Sequence, residues 1–142
     1  MTLEVYHITP VPKPRMTQAD RWRKRPCVVR YFAFCDECKK HPEMVPQPGD
    51  TVFFVMPMPK SWSKKRKAEM YGSVHMQKPD FDNLTKALLD ATMKEDKEVW
   101  GLCSLKTWGN TGAIVIERAN DYDRILLREK CETAVWEAEV MT

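Results

Sequence analysis

The sequence predicts a small mixed α/β protein of the α+β type, with a mixed sheet flanked by helices in a single domain over residues 1–142. Three observations lead there. Thr51 to Met58 is an apolar run rich in β-formers behind the turn cluster Pro46-Gln47-Pro48-Gly49-Asp50, which reads as a central strand. Leu84, Ala87, Leu88 and Ala91 recur at steps of 3, 4 and 7, the stripe of one buried helix face. Val99 to Trp108 and Ala113 to Glu117 are further strand-like segments. A hydrophobic fraction of 43% and a charged fraction of 30% are those of a globular chain, and 142 residues suit one core.

Taken in order, Leu3 to Ile8 alternates and stops at Pro10, a short first strand. Pro10-Val11-Pro12-Lys13-Pro14-Arg15-Met16 cannot be helix and has few donors for a sheet, so it is a stiff extended loop. Cys27 to Lys40 places Tyr31, Phe34, Cys35 and Cys38 at helical spacing, and His41-Pro42 ends it. Ser61 or Ser63 caps a short basic helix ahead of Met76. Gly109-Asn110-Thr111-Gly112 suits a hairpin turn between the last two strands, because Gly and Asn tolerate positive φ. Tyr122 to Val140 has helical composition and either closes the core or faces a partner subunit.

Composition excludes several classes. No run approaches the ~20 apolar residues of a membrane span, and Met1-Thr2-Leu3-Glu4-Val5 lacks a signal-peptide pattern, so a cytoplasmic protein is expected. Five cysteines, Cys27, Cys35, Cys38, Cys103 and Cys131, read as reduced thiols. Cys35-Asp36-Glu37-Cys38 with His41 is only half a zinc site, since no second ligand pair appears. A net charge of +3 is too small to argue for nucleic acid; its distribution matters more.

The chemistry is concentrated between Gln77 and Asp96. Pro79 keeps an upstream helix from running through Lys78, and Asp80 or Asp82 is then a plausible N-cap. Asp82, Lys86 and Asp90 follow at i, i+4 and i+8 on one helix face, and Asp96 comes about a turn later. Carboxylates clustered on and beside a rigid element make a hard oxygen site suited to Mg²⁺ or Mn²⁺. Ion pairing along the helix, at roughly 0.2–0.5 kcal/mol per pair, is the plainer account of Asp82, Lys86 and Asp90, but it leaves Asp80 and Asp96 unexplained. Upstream, Lys60, Lys64, Lys65, Arg66 and Lys67 form a basic run beside this acidic cluster. Acids that bind a cation and lysines that hold phosphates without base specificity fit one polyanionic substrate. Arg21 and Arg23 surround Trp22, a composition suited to a phosphate backbone with one stacked base; a solvated loop with Trp22 tucked into the core is the alternative.

Lys78-Pro79-Asp80-Phe81-Asp82-Asn83-Leu84, Lys86, Leu89-Asp90-Ala91 and Glu95-Asp96 resemble the signature of the RusA family of Holliday-junction resolvases: a D-x-D-N-L-x-K-x-x-x-D-A core, then an acidic pair and a strand with a basic residue near its end, here Lys106. The resemblance implies a RusA-like α+β fold and a Mg²⁺-dependent homodimeric endonuclease that nicks four-way DNA junctions in pairs. It also implies metal-binding acids at Asp80, Asp82 and Asp96, with a catalytic lysine at Lys86. Glu95 and Glu98 remain alternatives for the third acid, and Asp90 reads as a partner fixing Lys86. Arg15, Arg21, Arg23, Lys64, Lys65, Arg66, Lys67 and Lys106 are the candidate DNA contacts. No small-molecule cofactor is expected. The competing readings are a non-catalytic module that binds branched DNA, another Mg²⁺ phosphotransfer enzyme of the D-x-D type, and a structural partner protein, which would leave the clustered acids unexplained.

Overall fold

The computed structural model describes residues 2–140; Met1, which the N-terminal reading included, lies outside them, as do residues 141 and 142. The chain runs β1 (Leu3–Tyr6), α1 (Pro26–Lys39), β2 (Thr51–Pro57), α2 (Lys64–Met70), α3 (Phe81–Thr92), β3 (Cys103–Gly109), β4 (Ala113–Glu117) and α4 (Asp121–Val140). The sheet order is β1-β4-β2-β3, with β2 and β3 parallel and the other two pairs antiparallel. This is the mixed sheet and α+β class that the sequence predicts.

The core lies on one side of that sheet. Val52, Phe54 and Met56 of β2, with Ile114 and Ile116 of β4, pack against Leu84, Ala87 and Leu88 of α3 and Tyr31, Phe34 and Cys38 of α1. Strand period 2 and helix spacings of 3, 4 and 7 therefore meet in one layer. Pro26 opens α1, where its missing N–H costs nothing. Burial pushes the Cys38 thiol up to about 12, so this thiol is packing material in its protonated form. Among the described residues, no three His, Cys, Asp or Glu side chains are gathered as a metal site, Cys35-x-x-Cys38 included. No helix among them is long and apolar enough to cross a membrane.

Two expectations are corrected. β3 and β4 are not a hairpin: β2 lies between them and pairs with both, Val55 opposite Thr107 on one side and opposite Ala113 on the other. The Gly109–Gly112 connection therefore arches over the end of β2, where Met58 N–H donates to the Gly109 carbonyl at 3.0 Å. Its glycines answer to space, not to positive φ, which among the described residues occurs only at Gly49 and Gly72. A Cβ on Gly112 would stand 2.7 Å from Thr9 Cα and 2.4 Å from its Oγ1, and one on Gly109 2.4 Å from Val55 Cγ1. Because the Thr9 backbone cannot step aside cheaply, Gly112→Ala is expected to cost about 1–3 kcal/mol in chemical denaturation, the range of an overpacked site. The second correction concerns length: β3 begins at Cys103, and Val99 to Leu102 is irregular chain that follows a turn at Lys97 and Glu98, closed by Val99 N–H on the Asp96 carbonyl at 3.0 Å.

The other sheet face is open. Val5, Val115, Phe53 and Leu105 stand side by side across all four strands, with Leu3 next to them. Leu3, Val5 and Leu105 are exposed, and Phe53 and Val115 are half-buried. No residue of α4 is buried, so this helix does not close the core. Its Leu127, Cys131 and Ala134 instead line a groove of about 560 Å³ with Thr51, Cys103 and Trp100 at one end of the open face.

One charged cluster ties the sheet ends together. Arg118 Nε and Nη2 donate to Glu4 at 2.9 and 3.0 Å, and Nη1 donates to Asp50 Oδ2 at 2.8 Å. The Val45 and Glu43 carbonyls accept from the same guanidinium at 2.7 and 2.6 Å. Asp50 is fully buried, and it also accepts the Ala119 and Gln47 backbone N–H groups at 2.9 and 2.8 Å.

Candidate active site

The site is built on the first turns of α3 and the loop that delivers them. That loop is clasped by Lys106, whose ammonium donates to the carbonyls of Gln77 and Pro79 at 2.6 and 2.7 Å. The Lys78–Pro79 peptide between them is cis. Lys106, a DNA contact by sequence, thus spends its ammonium on positioning the segment that carries Asp80.

Asp80 is the N-cap of α3, with extended backbone at φ −70° and ψ 147°. Its carboxylate does not cap the helix. It takes two hydrogen bonds from Lys78 Nζ, at 3.0 and 2.9 Å, and is left facing solvent. Asp82 is also exposed, and its Oδ1 accepts the Asn83 N–H at 2.9 Å. In the first turn of α3 it gains from the positive end of the helix dipole.

One helical turn on, Lys86 stands between two acids, 3.3 Å from Asp90 Oδ1 and 3.4 Å from Asp96 Oδ2. The hydrogen bond to Asp90, then the nearby charges of Asp90 and Asp96, raise its pKa above the ordinary lysine value, so it is a fixed cation and not a base. Burial would push the Asp90 carboxyl up, but hydrogen bonds from Lys13 and Lys86 outweigh it and hold it below the usual carboxylate value. Of the three acids that the sequence left open, Asp96 is the one that reaches Lys86; Glu95 pairs outward with Lys97 at 3.3 Å and Glu98 is exposed. Phe81, Asp82, Thr85, Lys86, Leu89 and Ser104 line an open groove of about 260 Å³ here. Thr85 ties its floor to β3 through a 2.9 Å hydrogen bond with Ser104.

Among the described residues, the basic side chains of α2 and of the N-terminal loop form no ion pair with Asp80 or Asp82. Ser63 caps α2, accepting Arg66 N–H at 3.1 Å. Lys64, Lys65 and Arg66 are exposed and Lys67 half-buried, with the Arg66 guanidinium 4.1 Å from the Trp62 ring centre. From α2 the chain runs back along the β3 edge, where Trp108 N–H donates to Ser73 and His75 N–H to Lys106, both at 3.0 Å. Lys106 and Trp108 are two residues apart on one strand, about 7 Å, so the end of α2 and the clasp on Asp80 share a short stretch of edge. Arg15, Arg21 and Arg23 are exposed as well. Trp22 is not tucked into the core but 74% exposed. With Arg21, Arg23, Val29 and Phe32 it lines a separate groove of about 540 Å³ against α1.

His75 adds a pH dependence. It is buried against Trp108, ring centres 4.0 Å apart, and burial followed by the Lys106 charge lowers its pKa from 6.5. The unfolded chain takes up this proton first, so the contribution is complete above 6.5 and is lost as pH falls through the lower folded value. Thermal unfolding from pH 7 to 5 should show a loss of stability that His75→Phe reduces.

Acids at a helix start and a clamped lysine one turn further on, with exposed cations on other elements, are the equipment of an enzyme acting on a polyanion. Residues 36–117, more than half of the chain, match the family model for Endodeoxyribonuclease RusA. The chain belongs to the RusA endodeoxyribonuclease family. No significant match is found among curated proteins or among solved structures. The matched stretch runs from within α1 to the end of β4 and contains Asp80, Asp82, Lys86, Asp90, Asp96 and Lys106; Lys13, Arg15, Arg21 and Arg23 precede it and α4 lies beyond it.

Proposed function

We propose that this protein is a Mg²⁺-dependent homodimeric endonuclease that resolves four-way DNA junctions by paired nicks. The observation that carries the reading is Lys86 held between Asp90 and Asp96, one turn from Asp82 and within two turns of Asp80, on the stretch that matches the nuclease family.

The donors fit a hard divalent cation in kind. Asp80, Asp82 and Asp96 offer carboxylate oxygens only, and two of them are exposed. They are not gathered in advance, since no three acids converge among the described residues. Assembly is cheap: Asp80 leaves only an exposed lysine pair, worth about 0–1 kcal/mol. When bound, Mg²⁺ (or Mn²⁺) supplies Lewis-acid activation of water and neutralises phosphoryl charge. Lys86, already charged, donates to the oxygen on which negative charge grows. Asp90 keeps Lys86 aimed there, and Lys106 keeps Asp80 within the site. Arg15, Arg21, Arg23, Lys64, Lys65, Arg66 and Lys67 hold phosphates of the arms without reading bases.

Paired nicks need two sites related by a two-fold axis, hence an isologous dimer. The open sheet face suits it: Val5, Val115, Phe53 and Leu105 form an uncharged apolar row that can meet its own copy. Four strands of up to seven residues give a footprint of roughly 300–400 Å², short of the ~800 Å² that each partner usually contributes. Helix α4, ~30 Å long and exposed beside that face, supplies the remainder. Leu105→Glu is expected to turn the dimer into a folded monomer on size-exclusion with light scattering, and to replace paired nicks by single ones.

The function is tested by incubating the protein with a labelled mobile four-way junction in Mg²⁺ or in EDTA. Symmetric nicks that require Mg²⁺ support the proposal. Structure-selective binding without nicking, by folded protein supplied with Mg²⁺, would point to a branched-DNA-binding module instead.

A further inference from the structure

A second groove meets the first at Lys86. It measures about 540 Å³ and is lined by Lys13, Lys39, Lys86, Asp90, Met93 and Lys94 among others. Its cations come from separate elements: Lys13 from the proline-rich loop, Lys39 from the last turn of α1, Lys86 from the middle of α3 and Lys94 from just after it. Four lysines thus face one acid, and that acid, Asp90, already serves two of them: Lys13 Nζ at 2.5 Å and Lys86 Nζ at 3.3 Å. Among the described residues, Lys39 and Lys94 have no ion-pair partner. Their charges are left to the groove.

Gathering like charges from distant parts of the chain costs stability, and a fold keeps the arrangement cheaply only when an anion shares the site or water screens it. Position decides what the anion is. Lys86 lines both grooves, so a strand whose phosphate sits at the Asp82–Lys86 end continues without a gap into the lysine groove. We infer that this groove is the track for the DNA backbone flanking the cut phosphodiester, with Lys39 and Lys94 as phosphate contacts and Lys13 as a positioning residue. Lys13 acts through Asp90: the stiff Pro12–Pro14 segment holds its ammonium on the carboxylate that orients Lys86. This rests on the endonuclease reading above and adds the path of the strand to it.

The test uses the full-length protein and a fluorescent four-way junction in EDTA, with affinity measured over a range of salt. Lys39→Ala/Lys94→Ala is expected to bind at least 10-fold more weakly and to flatten the log K against log[salt] slope by about 1–2, near 0.9 for each phosphate no longer neutralised. In Mg²⁺ the loss should appear chiefly as a higher junction concentration needed for half-maximal nicking, and its melting point should not move. Lys13→Ala should instead lower the saturating rate with little change in affinity, and Lys13→Arg should restore it. If wild type binds and nicks the junction while the double variant keeps its affinity and slope, the track is wrong although the endonuclease stands. If Lys130→Ala on α4 flattens the slope as much per charge, the effect is one of general charge and the track is again overturned. A wild type that neither binds nor nicks would remove the endonuclease reading and the track with it.

Discussion

Asp82→Asn leaves a folded, junction-binding protein whose nicking is slower by at least ~10³-fold. The size follows from losing a ligand whose cation contributes several kcal/mol to the transition state, at 1.36 kcal/mol per tenfold. Folding survives because the Asp82 carboxylate is exposed and bonds only the N–H of its own neighbour Asn83, which an amide oxygen also accepts. Lys86→Ala is the companion test. Losing one preorganised donor costs about 2.7–4 kcal/mol, or 10²–10³ in rate, and it also frees Asp90 and Asp96 to repel DNA phosphates. Single-turnover cleavage beside binding in EDTA separates these effects: Asp82→Asn should change only the rate, and Lys86→Ala the rate with a small loss of affinity.

The second large effect lies far from the site. Arg118→Ala is expected to destabilise the fold by about 3–5 kcal/mol, the cost of leaving a buried charge without its partner. Asp50 would keep the Ala119 and Gln47 N–H groups but lose its cation while fully buried. The carbonyls of Val45 and Glu43 would lose their donor, and β1 its tie through Glu4. Glu4 feels the same guanidinium, since the hydrogen bond from Arg118, with one from Tyr6, lowers its pKa below the ordinary value. Arg118→Lys should rescue little, because one ammonium cannot fork to two carboxylates and two carbonyls. Urea denaturation reads both variants.

What the sequence makes legible is what local spacing encodes. The Leu84, Ala87 and Leu88 stripe, the α1 aromatics and the alternation in β2 each specify an element and its buried face, and the acids follow from the α3 register. Choices of partner are not legible. A strand segment does not say which strand it joins, so Gly109–Gly112 reads as a hairpin although β2 lies between its ends. A lysine at a strand position looks alike whether it meets phosphate or carbonyl, which is why Lys106 reads as a DNA contact. Asp50 sits in a Pro/Gly turn cluster and reads as a turn residue, since its guanidinium is 68 positions away. Lys13 and Asp90, 77 apart, are invisible as a pair for the same reason. Asp90 itself carries a signal: its i+4 spacing from Lys86 marks it as that lysine's partner, and the ion pair is present.

The central claim is that the start of α3 and Asp96 hold a divalent cation next to Lys86. Substoichiometric Mn²⁺ added to isotope-labelled protein tests it most directly, because paramagnetic broadening reports where the ion resides. The account predicts that the amide signals of Asp80, Phe81, Asp82 and Asn83 and of Asp96 broaden first, that excess Mg²⁺ restores them, and that Asp82→Asn removes the effect. Broadening centred on other residues, or broadening at α3 that Asp82→Asn leaves unchanged, would contradict it.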